Sequence, residues 1–292
     1  MKYIPIHRQC HLYRTWRRST HPPYVRDAFT LVELLIVIGI IALLLSLVLP
    51  ALASAKAQAR SIVCRSNLHQ LWLANQGYAL DNNDFYVPAA ADFWTSSGGT
   101  MRWHGARNHP DQPFDPLKGP LADYLGDGQV KHCPENVEFA NPDSWNAGFE
   151  KGCGGYGYNM TYIGSTIWKN NIKSLEAYKN SYRQTTQVQA IRHPHKTLMF
   201  ADSALVKSSQ YIEYSFAEPP HPIYHGKVYT KVYMSPTIHF RHREKTNVAW
   251  ANGSASSQFM APMDQDNAYG MNSRQYSLGW FDPVDNSLFD LQ

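Results

Sequence analysis

One carboxylate near the head of an apolar run constrains this 292-residue chain more than any other feature. From Phe29 to Leu49 the sequence reads FTLVELLIVIGIIALLLSLVL, 21 residues whose single charge is Glu33. A helix of that length crosses the hydrocarbon core of a bilayer. A carboxylate is among the most expensive groups to carry into it. Whatever the chain becomes must therefore supply a reason for Glu33. Upstream stand Lys2, Arg8, Arg14, Arg17, Arg18 and Arg26 against the lone acid Asp27. Basic residues on that side predict a cytoplasmic N-terminus and a translocated C-terminus. The same leader accounts for the formal charge of +4, because the chain beyond residue 28 has 21 basic and 22 acidic residues. Net charge thus gives no footing to a polyanion-binding role, and no nucleic-acid partner is expected.

Three readings fit residues 1–55. One is a cleaved secretory signal ending at Ala53-Ser54-Ala55. Another is a plain membrane anchor. Neither explains Glu33. The third does: AFTLVELLIVIGIIALLLSLVLP resembles the N-terminus of type IV prepilins and type II secretion pseudopilins. That resemblance implies cleavage by a prepilin peptidase between Ala28 and Phe29, methylation of the new amine of Phe29, and Glu33 as the fifth residue after the cut. Pro50 falls where the family commonly has a proline. Ala28 is a departure, since the family usually has Gly there. In a helical bundle the Glu33 carboxylate can meet the α-ammonium of Phe29 in a neighbouring subunit, and a paired acid and amine lose far less in lipid than either alone.

Beyond Pro50 the helical pattern continues. Cys64, Leu68, Leu71, Asn75 and Tyr78 recur at helical spacing, with Trp72 and Ala79 beside them. Asp81-Asn82-Asn83-Asp84 and Pro88 stop the run. A helix from Phe29 to Leu80 has 52 residues and a length of about 78 Å, with Pro50 expected to bend it or loosen one turn. Residues 81–155 read as a large irregular region, with Gly119–Gly126 as a helical turn. Strands are expected in the stretch around YGYN (156–159), in Gln184–Ile191 and in Lys196–Val206. A hairpin follows: Thr246–Ala251, an Asn252-Gly253 type I′ turn, and Ser254–Met260. The organisation is a leader (1–28), a transmembrane helix (29–50), its amphipathic continuation (51–80) and a globular domain (81–292). The fold class is α+β, a long N-terminal helical spine packed on a C-terminal antiparallel β-sheet with long loops.

A second resemblance lies at the C-terminal side. His242, nine residues and then Asn252-Gly253 resemble an H-x9-D-G segment of a subgroup of prepilin-like proteins. CRSNLHQL (64–71), Cys133-Pro134, YGYN (156–159) and HPHKTLMFADS (193–203) resemble further patterns of that subgroup. Asn252 stands where the subgroup has Asp. Two readings of this segment are open. Asp202, His242 and Asn252 form a polar site for Ca²⁺, as in the calcium loop of major pseudopilins, or for an assembly contact. Alternatively His242 bonds the loop backbone and Asn252 permits the turn, which is the preferred reading.

Cys64, Cys133 and Cys153 allow one intramolecular disulfide, and spacing does not choose the pair. Ten histidines follow the leader, but neither CxxC nor HExxH accompanies them. Loop histidines on a Tyr-rich surface are expected. No nucleophile elbow, P-loop or dinucleotide fingerprint occurs, so the chain is not expected to be an enzyme or to carry a cofactor. The expected role is structural: an inner-membrane, single-pass subunit with a periplasmic or extracellular C-terminal domain. Its partners would be other pilin or pseudopilin subunits, the prepilin peptidase, and indirectly an assembly platform and a secretion ATPase. Two rivals stand beside it: an exported ligand-binding protein using Trp94, Trp103, Trp145 and Trp168, and a metal-dependent hydrolase using the histidines.

Overall fold

The computed structural model describes residues 29–94, 99–109, 112–135, 139, 150–169, 172 and 174–292. The leader with Ala28 and Cys10, and also Trp145, lie outside the described residues. The chain divides into two compact units, Met1–Ala51 and Leu52–Gln292. In the first, the described residues are the opening of a helix, α1 (Leu31–Asp81), and its side chains from Leu31 to Leu49 are all exposed. Among the described residues α1 is the one helix long and apolar enough to cross a membrane.

The second unit is a helix on a sheet, and the pattern of α1 explains why. Its buried residues are Cys64, Asn67, Leu68, Leu71, Ala74, Asn75 and Ala79, a stripe at helical spacing. Helix formers such as Ala51, Ala53, Ala55, Ala57 and Ala59 fill the turns before the stripe. The helix ends where Asn83 and Asp84 take positive φ values of 53° and 64°, a conformation that Asn and Asp tolerate better than other side chains. The Asn82 side chain donates to the Tyr78 carbonyl at 2.8 Å, covering one of the acceptors a helix end leaves bare.

Four strands make the sheet: β1 (Tyr156–Tyr158), β2 (Leu198–Asp202), β3 (Lys245–Trp250) and β4 (Ala255–Phe259). Their order is β4-β3-β2-β1, every pair antiparallel. All five residues of the inner strand β2 are buried, so both of its faces are covered. Tyr158 sits opposite Phe200 and stacks on it at 4.7 Å between ring centres. The tyrosines of β1 also tie the sheet to α1. Asn67 donates to the Tyr156 hydroxyl and Asn75 to the Tyr158 hydroxyl, both at 3.1 Å. Between them, Gly157 leaves room for the backbone of Phe216 and Ala217, which would lie 2.7 and 2.8 Å from a Cβ. The helix–sheet seam is thus apolar at its centre and stitched by amides.

Three expectations are corrected. Gln184–Ile191 is not a strand: its Thr185 and Thr186 hydroxyls donate to the Tyr86 and Tyr162 carbonyls, and Val188–Ala190 closes a 3₁₀ turn. The β-prone composition is spent on anchoring two loops. Lys196–Val206 divides into β2 and a separate ribbon, Leu205–Lys207 with Gln210–Ile212. At the Asn252-Gly253 hairpin the turn is not type I′. The Gly253 N–H donates to Trp250 and the Trp250 N–H to Ser254, both at 2.9 Å, with only Gly253 at positive φ (85°). That is a three-residue loop in which glycine supplies the left-handed position.

The hairpin tip docks on α1. Trp72 donates to the Ala251 carbonyl and His69 contacts the Gly253 carbonyl, each at 2.8 Å. A Cβ on Gly253 would stand 2.8 Å from the Trp72 ring. Gly253→Ala is therefore expected to destabilise the unit by about 2 kcal/mol, from the strained φ and the displaced indole together. Chemical denaturation monitored by Trp fluorescence checks this, and an unchanged midpoint would show that the tip is not a packing joint.

Candidate functional site

At the N-terminus the chain answers for Glu33 by itself. Thr30 precedes the first residue of α1, and its carbonyl accepts from the Leu34 N–H at 3.2 Å. The Glu33 N–H donates to Thr30 Oγ1 at 3.1 Å, while the Thr30 N–H and hydroxyl donate to Glu33 Oε2 at 2.9 and 2.8 Å. This reciprocal arrangement is a capping box, legible as Thr30-x-x-Glu33 before an apolar run. The carboxylate satisfies the Thr30 N–H and the Thr30 hydroxyl oxygen the Glu33 N–H, two backbone donors that lipid would otherwise leave without partners.

The second constellation is buried between α1 and the sheet. Cys64 reaches in from α1, Cys133 from the Cys133-Pro134 loop, Asp202 from the end of β2 and His242 from the turn before β3. One ligating atom of each lies within 4.8 Å of all the others. The Cys64 thiol donates to Asp202 Oδ1 at 3.1 Å. His242 Nε2 lies 3.2 Å from Asp202 Oδ2 and 3.4 Å from Cys133 Sγ. Relative exposures are 0% for Cys64 and Asp202, 1% for Cys133 and 5% for His242.

Backbone pairing fixes each of these groups. The Asn247 N–H donates to Asp202 Oδ2 at 2.8 Å, and the Cys133 N–H to Gly154 at 3.0 Å. His242 and Lys245 exchange both backbone bonds, at 2.9 and 3.2 Å, around Arg243 and Glu244 at φ values of 55° and 63°. This two-residue turn has the φ > 0 pair of type I′, the geometry expected at Asn252-Gly253. Two bulky residues adopt it without glycine, at a cost of about 1 kcal/mol or more each. The turn is further tied to α1 by Arg243, which donates to Ser54 Oγ at 2.8 Å.

Burial disfavours charge on His242, yet its bonds to Asp202 and Cys133 outweigh this and raise its pKa to about 9. Asp202 is pushed up by burial but held below the usual carboxylate range by His242 and Arg241. The neighbouring Cys64 lowers Cys133 in spite of burial, whereas burial drives Cys64 up. The cluster can hold one proton tightly between an acid, an imidazole and a thiolate. Equally, its two sulfurs, one imidazole nitrogen and one carboxylate are the donor set of a zinc-class cation.

Residues 26–49 match the family model of the prokaryotic N-terminal methylation motif. The motif supports a type IV pilin/pseudopilin-like protein. Comparison with curated proteins and with solved structures gave no match. The motif implies processing by prepilin peptidase and assembly with other pilin subunits. Motif and apolar helix together fit a single-pass membrane-anchored protein. The match does not reach the segment from His242 to Gly253.

Beyond the motif, the sequence-derived constellation is rearranged. Asp202 and His242 do meet. Asn252 does not join them: its side chain accepts from Ser254 N–H and Oγ at 3.1 and 2.7 Å, and so shapes the hairpin loop. His242 bonds a carboxylate and a thiol with its ring, not only the loop backbone. All three described thiols are free. Cys64 and Cys133 share the cluster, while Cys153 lies apart, 3.9 Å from Glu213 Oε1. The surface placement of the histidines holds for some and not others, since His104, His221, His239 and His242 are buried. Trp103 is a core residue, fully buried and donating to the Ser215 carbonyl at 2.7 Å. In the sequence Cys64, Cys133 and Cys153 stand equally as disulfide candidates. The convergence of Cys64 and Cys133 on His242 and Asp202 has no signal in spacing.

Proposed function

We propose that the chain is a structural pseudopilin or prepilin-like subunit. Prepilin peptidase cuts it between Ala28 and Phe29, the new amine is methylated, and the subunit enters a type II secretion or type IV pilus-like filament. The methylation motif at residues 26–49, followed by a single helix from Leu31 to Asp81, is the observation that carries this reading. Phe29 to Pro50 anchors the precursor in the inner membrane with its N-terminus in the cytoplasm, and the unit from Leu52 onward lies on the far side. Catalysis is done to this chain and not by it. An assembly platform and a secretion ATPase would drive extraction.

The capping box fits that role. Both Thr30 bonds end on Glu33 Oε2, so Oε1 is available to the ammonium of Phe29 in the next subunit. One carboxylate then closes its own helix and sets the register of its neighbour. Mass spectrometry of the N-terminal peptide from the membrane fraction tests the reading. The expected peptide begins at N-methyl-Phe29. A peptide beginning at Lys56, or an intact leader, would overturn it.

A further inference from the structure

We propose that Cys64, Cys133, Asp202 and His242 are the four ligands of a structural zinc ion that pins α1 to the central strands of the sheet. The geometry is close to what the ion demands. A tetrahedron with Zn–S bonds of about 2.3 Å and Zn–N or Zn–O bonds of about 2.0 Å has ligand–ligand edges of about 3.3–3.8 Å. The contacts across the cluster are 3.1, 3.2 and 3.4 Å, and every pair lies within 4.8 Å. The hydrogen-bonded contacts need to open by a few tenths of an ångström, any pair near the 4.8 Å limit needs to close by about 1 Å, and one Asp202 oxygen must serve where two now do. No ligand needs to be recruited from elsewhere.

The chemistry of the donors selects the metal class. Two thiolates and an imidazole are soft and borderline ligands that suit zinc. Calcium takes six to eight oxygens, and this cluster offers one carboxylate, so the calcium expectation for Asp202 and His242 is replaced. With both cysteines ionised and His242 neutral, the ligands carry three negative charges. A divalent ion leaves one, and Arg241 stands beside the site, donating to the carbonyl of Ser203 next to Asp202. All four ligands come from the protein and all are buried, which is the closed form of a structural site and not the open form of a catalytic one.

The site also accounts for features that a plain core does not need. Four distant segments each deliver one ligating residue to a point under α1, and one of them does so through the strained turn at Arg243 and Glu244. Metal binding returns the cost of ordering such segments as folding free energy. The alternative use of the same residues is a Cys64–Cys133 disulfide, which forbids zinc and is separable by experiment. The proposal does not depend on filament assembly.

The test uses the full chain in detergent, reduced, exposed to zinc and freed of excess ion. Elemental analysis is expected to give one zinc per chain, retained through gel filtration. Co²⁺ in place of zinc is expected to give thiolate-to-cobalt charge-transfer absorption and the d–d bands of a tetrahedral site. Cys64→Ser and His242→Gln should each weaken binding by more than about tenfold, a loss already typical for outer-shell partners. Cys153→Ser, outside the cluster, should retain the ion. No zinc after reduction and reconstitution overturns the proposal. So does cobalt bound without thiolate absorption, a reading on the unmutated chain that stands even if a variant fails to fold. Equal loss from Cys153→Ser overturns it as well.

Discussion

Arg102→Met is expected to destabilise the globular unit by about 3–5 kcal/mol, because it strands a charge that water cannot reach. Arg102 and Glu150 are 0% and 1% exposed. The Arg102 Nε lies 2.9 Å from both Glu150 oxygens, and Ser215 Oγ donates to the same carboxylate at 2.6 Å. The guanidinium also stands over the rings of Phe93, Phe114 and Phe216, 5.2 to 5.8 Å from their centres. Burial raises the pKa of Glu150, but the charge of Arg102, the His104 ring 3.9 Å away and the Arg102 hydrogen bonds outweigh it and hold it at about 2. The folded value therefore lies below the unfolded one of about 4.3. The pair's contribution is complete above the unfolded value and is lost as pH falls from there through the folded one. Denaturation midpoints measured from pH 7 to pH 2 should show that loss in the parent and a flatter profile in Arg102→Met. Adding Glu150→Leu to the variant should recover part of the stability at neutral pH. A double variant no better than the single one would show that the ion pair is not the source of the loss.

Glu33→Val is expected to leave cleavage before Phe29 intact and to reduce filament by about tenfold or more. The variant removes the capping box and the intersubunit charge together, so it cannot by itself say which one matters. Glu33→Gln separates them. An amide at this position still accepts from Thr30 and so keeps the cap, but it cannot pair with the Phe29 ammonium as a charge. If register depends on the charge, Gln and Val fail alike. If helix closure is what assembly needs, Gln assembles and the intersubunit role is lost. Cross-linked filament yield, compared with the amount of cleaved subunit, reads the difference.

The N-terminal half of the story was written in short-range pattern. The apolar run, the stripe through Cys64, Leu68, Leu71 and Asn75, and the stop at Asn83-Asp84 involve residues a few positions apart, and α1 follows them closely. The Thr30-x-x-Glu33 cap is equally local, a Thr and a Glu three residues apart ahead of an apolar run. Turn chemistry was less faithful. Asn252-Gly253 promised type I′ but makes a three-residue loop, because a glycine Cβ-free face is needed against Trp72. Pairs with φ > 0 sit instead at Ser208-Ser209, at His225-Gly226 and at Arg243-Glu244, the last being residues with no preference for it. There, tertiary packing around His242 overrides local cost.

The sequence alone determined that one helix would begin near Phe29, cross an apolar span and turn amphipathic, since hydrophobic periodicity and end caps are decided within a turn or two of chain. Tertiary structure decided the rest. Only the tertiary fold brings Cys64 and Cys133 to Asp202 and His242 and buries Arg102 against Glu150. Those meetings join segments far apart in the chain, and no local rule records which distant partner a buried polar group will find.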